Sequence, residues 1–237
     1  MNACTERRAA LVLVLSLCSI SALSAQEKEA ARLKESYHVL REILAEPDKG
    51  IPRDLMDKSV CVVVFPSVKK AAFGVGGSYG RGVITCRSGE DFSGPWSAPA
   101  MFALEGLSFG FQIGGQATDF VLLIMNEKGA NSVMTSKVKL GADASAAAGP
   151  VGRTTSAEMD VVMKAEILSW SRSRGLFGGI SLTGSTLRSA DSANKSLYGE
   201  SFKACEIVRE NKAKVPEAAK LLIDLLQATY PKRTATS

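Results

Sequence analysis

Two serine motifs have the spacing of a nucleophilic hydrolase. The segments GGSYG, Gly76–Gly80, and GLSFG, Gly106–Gly110, both fit the pattern G-x-S-x-G, which presents a serine on a sharp strand-to-helix turn. Such a turn needs a helix after the serine, whereas a strand pattern continues on both sides of Ser78 and Ser108. The single histidine, His38, precedes both serines and breaks the order serine, acid, histidine. The motifs therefore do not predict a serine hydrolase.

Other catalytic and cofactor patterns also fail in their context. A serine three residues before a lysine occurs at Ser67–Lys70, Ser136–Lys139 and Ser192–Lys195, without the S-D-N or K-T-G motifs that accompany it in β-lactamases. The run GVGGSYG has Tyr79 in place of the third glycine of a dinucleotide fingerprint. One histidine without paired cysteines does not form a zinc site, and no loop has calcium-ligand spacing. We therefore expect no enzyme activity, no catalytic residue, no cofactor and no metal.

Basic side chains are better candidates for binding a ligand. Several fall at predicted strand ends or turns, where they could gather at one rim of a barrel, and each is worth about 1 kcal/mol near an anionic bilayer. The alternative is that each is an ordinary solvated turn residue. Arg87, Lys137 and Lys139 share this setting. The lipid-headgroup candidates are Lys69, Lys70, Arg81, Arg172 and Arg174.

Three similar runs must position these side chains. Phe73–Gly82 (FGVGGSYGRG), Phe109–Gly115 (FGFQIGG) and Phe177–Gly184 (FGGISLTG) open with Phe-Gly and alternate small residues with apolar or aromatic ones. This is a strand pattern that lacks half of its side chains, so another group can approach closely. We interpret that group as a neighbouring strand of a tightly closed barrel; a bound ligand is the alternative.

Residues 1–25 have the order of a secretory signal peptide. Arg7 and Arg8 precede the apolar run Ala9–Leu17, which is too short to span a bilayer, and small residues follow. Lipidation of Cys18, as in a lipoprotein, is the disfavoured alternative, because a bulky leucine precedes that cysteine. We expect cleavage and export to the periplasm, where association with the membrane is an option.

The remaining chain is expected to form one domain, 26–237, with a core at about 30–205 and a C-terminal helical tail at 206–237. The formal net charge of the whole chain is +5, without the dense Lys/Arg blocks of nucleic-acid-binding proteins. No later apolar stretch reaches about 18 residues, so no membrane span is predicted. Anionic partners are compatible with this charge, and nucleic acid is not expected.

Three cysteines follow the predicted signal peptide. Cys61 and Cys86 lie in two strand-like runs, CVVVF and GVITC, that could pair antiparallel with the sulfurs facing each other. Since export leads to an oxidising compartment, we predict a Cys61–Cys86 disulfide worth about 3 kcal/mol. Two buried thiols are the alternative, and Cys205 is expected to be free.

The segment Glu27–Glu46 has the periodicity of an amphipathic helix. We interpret it as a helix that covers an open edge or end of the sheet. The alternative is a membrane-surface helix, but its charge is mixed rather than basic. The membrane-helix candidates are Leu33, Tyr37, Leu40 and Leu44.

The remaining patterns define the fold class. We predict an α+β protein with a Gly-rich, mainly antiparallel β-barrel or strongly curled sheet of about seven strands, flanked by N-terminal and C-terminal helices. Pro66 is expected to end the first strand, and Ser67–Ala71 to form a one-turn connection. Further strands are predicted at Phe120–Met125, Val138–Gly149 and Asp160–Trp170, and helices at Arg53–Lys58, Ala130–Ser136, Ser189–Tyr198, Phe202–Asn211 and Val215–Tyr230.

Several blocks together resemble the SYLF domain family, in its exported bacterial branch. They include CVVVFPSVKKAAFGVGGSYGRGVITCR, WSAPAMFALEGLSFGFQIGGQATDFVLLIMNEKG and KLGADASAAAGPVGR, within a similarity that spans roughly Ala30 to Cys205. The resemblance implies a non-enzymatic lipid-binding domain. Eukaryotic members bind phosphoinositides, largely through an N-terminal amphipathic helix that corresponds here to Glu27–Glu46, and some bind actin filaments. Export would make actin an unexpected partner.

Two functions follow from these expectations. The first is a lipid-binding protein of the cell envelope that contacts anionic phospholipid or phosphoinositide-like headgroups. The second is a structural or protein-interaction component of the envelope without a lipid ligand, in which the small-residue strands serve only packing. The sequence leaves the lipid and the oligomeric state open.

Overall fold

A computed structural model describes residues 3–46, 50–73, 75–109, 116–135, 137–150, 164–173, 176–231 and 233. In these residues the helices are α1 (Ala3–Ala45), α2 (Arg53–Lys58), α3 (Glu127–Met134), α4 (Asp191–Tyr198), α5 (Ala204–Val208) and α6 (Lys220–Thr229), with a 3-10 helix at Glu217–Ala219. The strands are β1 (Cys61–Phe73), β2 (Val75–Cys86), β3 (Ala100–Phe109), β4 (Gln116–Ile124), β5 (Lys137–Lys139), β6 (Ala146–Ala148), β7 (Ile167–Ser173), β8 (Leu176–Gly179) and β9 (Thr186–Ser189).

The described strands form one nine-stranded sheet in the order β5-β9-β3-β2-β1-β4-β7-β6, and β8 pairs with β7. Every pair is antiparallel except β6 with β7. The sheet is strongly curled into a half-barrel and has helices from both ends of the chain against it. The predicted α+β class is therefore confirmed, with nine described strands rather than about seven.

The first strand does not end at Pro66, so that prediction was wrong. β1 continues to Phe73, and its pairing with β2 shifts register between Val64 and Lys69. Pro66 lies in this bulge, where its missing N–H costs no ladder bond. Ser67 has a φ of 53° and donates its backbone N–H to Asp119 Oδ1 of β4 at 2.7 Å. Ser67–Ala71 is thus strand and not a connection.

The bulge explains two glycines of the first Phe-Gly run. A Cβ added at Gly82 would lie 2.0 Å from the carbonyl oxygen of Val64, and one at Gly80 would lie 2.5 Å from a methyl carbon of Val68. The bulged β1 therefore occupies the space that these side chains would need. At both positions the approaching group is a neighbouring strand, as we predicted.

Both faces of the central strands are buried. In β1, Val62 and Val64 belong to a core cluster with Leu33 of α1, whereas Val63 and Phe65 belong to a second cluster. Helices α1, α2, α4 and α6 contribute to the first cluster, and α3 and α5 to the second. A strand covered on both faces needs apolar residues at nearly every position, which accounts for the run CVVVF. We call the side that α1 covers the α1 face.

The predicted disulfide is present. Cys61 lies directly opposite Cys86 in the β1–β2 ladder, with 4.0 Å between their Cα atoms. Cys205 is free and half-buried. The sulfurs meet because antiparallel register puts the two positions on the same face of neighbouring strands.

Several boundaries differ from the predicted ones. Helix α3 begins at Glu127, because Asn126 caps it by accepting the backbone N–H of Gly129 at 2.8 Å. Val138–Gly149 holds two short strands, β5 and β6, separated by a turn at Gly141, whose φ is +84°. The predicted strand at Asp160–Trp170 lies partly outside the described residues, and β7 begins at Ile167.

Helix α1 includes residues 3–25 of the predicted signal peptide and most of the predicted amphipathic helix. In the described part of the chain, no helix combines the length and hydropathy that crossing a bilayer requires.

Candidate functional site

Polar residues from five strands form one row across the sheet. Lys69 lies opposite Tyr79, Tyr79 opposite Glu105, Glu105 opposite Thr186, and Thr186 opposite Lys139. Directly opposite residues share a face of the sheet, and residues two apart in a strand do as well. Because Val83, four residues after Tyr79 in β2, belongs to the core that α1 covers, the row lies on the α1 face. We call these five residues the polar row.

Two of the predicted headgroup residues hold α1 to the sheet instead of standing free. Arg81 of β2 donates to the hydroxyl of Tyr79 at 3.0 Å and forms an ion pair with Glu29 of α1 at 3.5 Å. The hydrogen bond with Tyr79 is the main reason that the pKa of Arg81 is raised. As a headgroup ligand, Arg81 would have to exchange these partners.

Arg172 of β7 has a similar role on the other side of the helix. Its Nε donates to Asp119 Oδ2 at 2.7 Å, and it also forms an ion pair with Glu42 of α1. Burial lowers the pKa of the Arg172 guanidinium and raises that of the Asp119 carboxyl. We call the pairs Arg81–Glu29 and Arg172–Glu42 the α1 clamp.

Lys69 is the headgroup candidate that the structure leaves available. Its side chain is exposed and forms no ion pair with another described residue. Lys70 follows it in β1, opposite Ser78 of β2 and Gln116 of β4. Arg174 lies outside the described residues. Two of the five predicted headgroup residues, Arg81 and Arg172, are thus engaged with α1, and a headgroup site formed by the five stays a prediction.

A groove at the β5 end of the polar row presents two further lysines. Lys137 and Lys139 of β5 are exposed, and neither forms an ion pair within the described residues. The groove has a volume of about 520 Å³ and is also lined by Ser78, Glu105, Gly106, Asp143, Gly184 and Thr186.

The two acids of the groove are already engaged. Glu105 accepts from Arg188 Nε at 2.7 Å, and Asp143 accepts the backbone N–H of Lys139 at 2.7 Å. What remains for a ligand is two ammonium groups and the hydroxyls of Ser78 and Thr186. Such donors suit an anion that carries hydroxyl groups. The sequence pointed to the lysines by their place near turns, but β5 joins β9 only through long-range pairing.

Comparison with known proteins identifies the family of this chain. Residues 105–229, more than half of the chain, match the Ysc84 family, described as Las17-binding protein actin regulator. The chain belongs to the Ysc84 family. The predicted resemblance to the SYLF domain is therefore confirmed, and the exported bacterial branch stays a prediction.

Relatives of known name share much of this chain. Protein YSC84 from Saccharomyces cerevisiae is 30% identical over 209 residues, which cover 87% of this chain and 43% of that protein. SH3 domain-containing YSC84-like protein 1 from Xenopus laevis is 32% identical over 190 residues, covering 79% and 55%. LAS seventeen-binding protein 3 from Saccharomyces cerevisiae is 29% identical over 209 residues, covering 87% and 44%. The chain spans about half the length of these relatives.

In this Ysc84-family chain the apolar stripe of α1 packs inward. Leu33 and Leu40 are fully buried in the core, and Tyr37 and Leu44 are half-buried against it. This is the sheet-covering arrangement that the sequence favoured. For these four residues to enter a membrane, the helix would have to leave the sheet.

The serines of the two G-x-S-x-G motifs lie inside paired strands of the Ysc84-family fold. Ser78 is opposite Gly106, and Ser108 is opposite Gly76, in the β2–β3 ladder. No strand-to-helix turn exposes either of them. Among the described residues, no group of three or more His, Cys, Asp or Glu side chains could hold a metal ion.

Proposed function

We propose that this protein is a non-enzymatic binding module whose ligand is the anionic phospholipid surface of the cell envelope. The observation that carries this proposal is the set Lys69, Lys137 and Lys139, which are exposed on the α1 face and free of ion pairs within the described residues. Lys69 and Lys139 stand four strand spacings apart, about 19 Å along the sheet. The lysines can therefore contact separate headgroups at the same time.

The expected affinity is modest and depends on salt. Three lysines at about 1 kcal/mol each give about 3 kcal/mol, or roughly a hundredfold preference for anionic over neutral lipid. Exposed charges are screened beyond about 8 Å at physiological ionic strength. High salt should therefore remove most of this preference.

Export to the periplasm is part of the proposal. The disulfide supports it, since disulfides persist in oxidising compartments, and so does the signal-peptide pattern of residues 1–25. The family description and the relatives' names refer to Las17 and to actin regulation. For an exported chain we propose an envelope lipid in place of actin.

Flotation of the signal-cleaved protein with vesicles tests the proposal. We expect binding to phosphatidylcholine vesicles that contain phosphatidylglycerol, and little binding to phosphatidylcholine alone or at high salt. Lys69→Glu combined with Lys137→Glu and Lys139→Glu should lower binding by about a hundredfold or more.

Lys195→Glu is the matched control, because Lys195 is exposed on α4 and lies outside the polar row. Helix α4 begins just after Ala190, whose backbone N–H bonds to Met101 near the start of β3. It should retain flotation. Equal flotation of the triple variant and the control would remove the three lysines from the binding surface.

A second candidate is a protein-binding role, which the names of the relatives favour. The Ysc84 family description and LAS seventeen-binding protein 3 both denote binding to another protein. Capture of one envelope protein by the purified chain without lipid, lost in Lys137→Glu with Lys139→Glu, would support this role. Vesicle flotation without such capture would favour the lipid ligand.

A further inference from the structure

The groove lies where β9 stops covering β3. The described pairing of these two strands ends where Thr186 lies opposite Glu105. The next residue of β3, Gly106, lines the groove and has no side chain, and it lies opposite Ser78 of β2. Consecutive residues of a strand point to opposite faces of a sheet. The groove therefore reaches around the edge of the sheet at Gly106, from Glu105 on one face to Ser78 on the other.

Two serine hydroxyls converge on the space beside Gly106. A Cβ added at Gly106 would lie 2.6 Å from Oγ of Ser78 and 3.0 Å from Oγ of Ser185, the residue just before β9. Neither hydroxyl has a hydrogen-bond partner among the described residues. A serine hydroxyl can donate one hydrogen bond and accept two, so the pair can hold a ligand that itself carries hydroxyl groups. We call the space between these two hydroxyls the serine notch.

The charged groups around the groove leave one net positive charge. Lys137 and Lys139 are exposed and form no ion pair within the described residues. Glu105 is paired with Arg188. Asp143 accepts the backbone N–H of Lys139. Three of these five groups are cations and two are anions, which suits a singly charged phosphodiester better than a phosphate monoester of nearly twice that charge.

We propose that the groove binds one phosphodiester that carries a glycerol-like diol, with the phosphate at Lys137 and Lys139 and the diol in the serine notch. Ammonium groups form charge-assisted hydrogen bonds with phosphate oxygens. The volume of the groove, about 520 Å³, falls in the range of small-molecule sites, about 300–1,000 Å³. An ethanolamine headgroup is disfavoured, because it would bring a third ammonium group next to the two lysines.

This inference rests on the proposed lipid-binding function and adds a selective site to it. Lys69, about 19 Å from Lys139 along the sheet, contacts any anionic headgroup, whereas the groove selects one headgroup chemistry. A phosphodiester with a diol occurs in phosphatidylglycerol and also in free glycerol phosphodiesters. A vesicle measurement and a measurement with a soluble diester distinguish these two sources.

Two lipids of equal charge test the selectivity. Phosphatidylglycerol and phosphatidylmethanol are both singly charged phosphodiesters, but only phosphatidylglycerol carries a diol. The signal-cleaved protein is floated with phosphatidylcholine vesicles that contain either lipid at the same fraction. We expect about tenfold tighter binding to phosphatidylglycerol, the effect of one or two additional hydrogen bonds. Equal flotation with the two lipids would overturn the selective site and leave the lipid-binding function intact.

Soluble glycerophosphoglycerol identifies the source of the ligand. Its binding is followed through the amide chemical shifts of Gly106 and Gly184, which both line the groove. Shifts at these amides together with flotation would support a lipid headgroup as the ligand. Shifts without any flotation would support the site with a free diester as its ligand and remove the lipid-binding function. Absence of both shifts and flotation would overturn both proposals.

Gly106→Ala fills the serine notch without changing any charge. The new Cβ would displace the hydroxyls of Ser78 and Ser185, which can rotate to another rotamer, so we expect a folded protein without the preference for phosphatidylglycerol. Gly178→Ala is the matched control, because a Cβ added at Gly178 has no atom within 4 Å, and it should keep the preference. A Gly106→Ala protein that keeps the tenfold preference would contradict the proposal.

Removal of the two hydroxyls gives a second measurement that does not depend on added bulk. Ser78→Ala combined with Ser185→Ala should abolish the preference for phosphatidylglycerol over phosphatidylmethanol, because the diol then loses both of its partners. The thermal unfolding midpoint checks that the variant is folded. An unaltered midpoint together with an unaltered lipid preference would exclude the serine notch as the diol site.

Discussion

The two ends of the sheet are built in different ways. We call the end that carries Cys61–Cys86 the disulfide end, and the opposite end of the β1–β2 ladder, where Phe73 pairs with Val75, the Phe-Gly end. At the disulfide end, Cys61, Cys86 and Arg87 are fully buried, and the Arg87 guanidinium lies 4.5 Å from the centre of the Trp96 ring. Toward the Phe-Gly end, Lys69 is exposed and Tyr79 is 44% exposed. These three side chains of the disulfide end are closed to solvent, whereas Lys69 and Tyr79, toward the Phe-Gly end, present charged and aromatic groups to solvent.

Arg87 shows how the disulfide end is held together. It donates to the carbonyl of Tyr230, just after α6, at 3.0 Å, and to the carbonyl of Ser59 at 3.3 Å. Burial lowers the pKa of Arg87 to about 10, so the side chain is still charged at neutral pH and its stacking on Trp96 is a cation–π contact. The C-terminal helix is thus tied to the covalently closed hairpin.

The difference suggests a division of labour within one sheet. Local stability varies across a protein, and binding surfaces are drawn from its less stable parts. Here the covalent and buried contacts are concentrated at one end, and α1 is attached toward the other end partly by ion pairs. If the two ends contribute this unequally to stability, substitutions at the disulfide end should be the most damaging.

Removal of the disulfide should have the largest effect. Cys61→Ala with Cys86→Ala is expected to lower the free energy of unfolding by about 3 kcal/mol, measured by urea denaturation, because the unfolded chain regains the entropy of a closed loop. Cys205→Ala is the control, since that thiol is free and half-buried. Similar losses in the two proteins would contradict a special role of the disulfide end.

Two glycine substitutions should show which glycines of the Phe-Gly runs are required by close packing against a neighbouring strand. Gly82→Ala would bring its Cβ to 2.0 Å from the Val64 carbonyl oxygen, and we expect a loss of about 1–3 kcal/mol. Gly178, in the third Phe-Gly run, has no atom within 4 Å of an added Cβ, so Gly178→Ala should change stability by less than about 0.5 kcal/mol. Thermal unfolding compares the two, and an unaffected Gly82→Ala protein would argue against the bulge as the reason for that glycine.

The α1 clamp should give the smallest effect. Glu29→Gln and Glu42→Gln each remove one ion pair with the sheet. Because one member of each pair is more than a third exposed, Arg81 at 38% and Glu42 at 47%, solvent screens the interaction, and global stability should change by only about 0–1 kcal/mol. Amide exchange in α1 should nevertheless become faster, more so for Glu29, which is 5% exposed. Glu27→Gln serves as control, because Glu27 of α1 is exposed and forms no ion pair within the described residues. Faster exchange in the control alone would break the clamp interpretation.

The parts of the fold that follow from local pattern could be predicted from the sequence. The Cys61–Cys86 pair followed because two apolar runs of similar length were expected to pair, and the amphipathic stripe of α1 followed from helical spacing. Pro66 was misread because a bulge is a tertiary feature: the backbone N–H of Ser67 bonds to Asp119 of a strand that is distant in the chain. The strands β5 and β6 were merged into one prediction and β9 was missed, because three or four residues carry little periodicity.

The site was less predictable for the same reason. The sequence identified Arg81 and Arg172 as basic residues, but their acidic partners Glu29 and Glu42 come from α1 and meet them only in the folded chain. The mixed charge of the Glu27–Glu46 helix was the available signal. An acid on the helix face nearest the sheet indicates a partner there, and that inference could have been drawn.

The position of the disulfide has a consequence for the order of folding. Cys61 and Cys86 close a single hairpin of consecutive residues, and β3 and β4 later add to its two edges. Contacts within a hairpin are short-range and form quickly, whereas the pairing of β4 with β1 must close a much longer loop. A crosslink made early would hold both edges in register before their partners arrive. The covalent bond would then serve assembly, as a template for the two strands that flank it, as well as the finished fold.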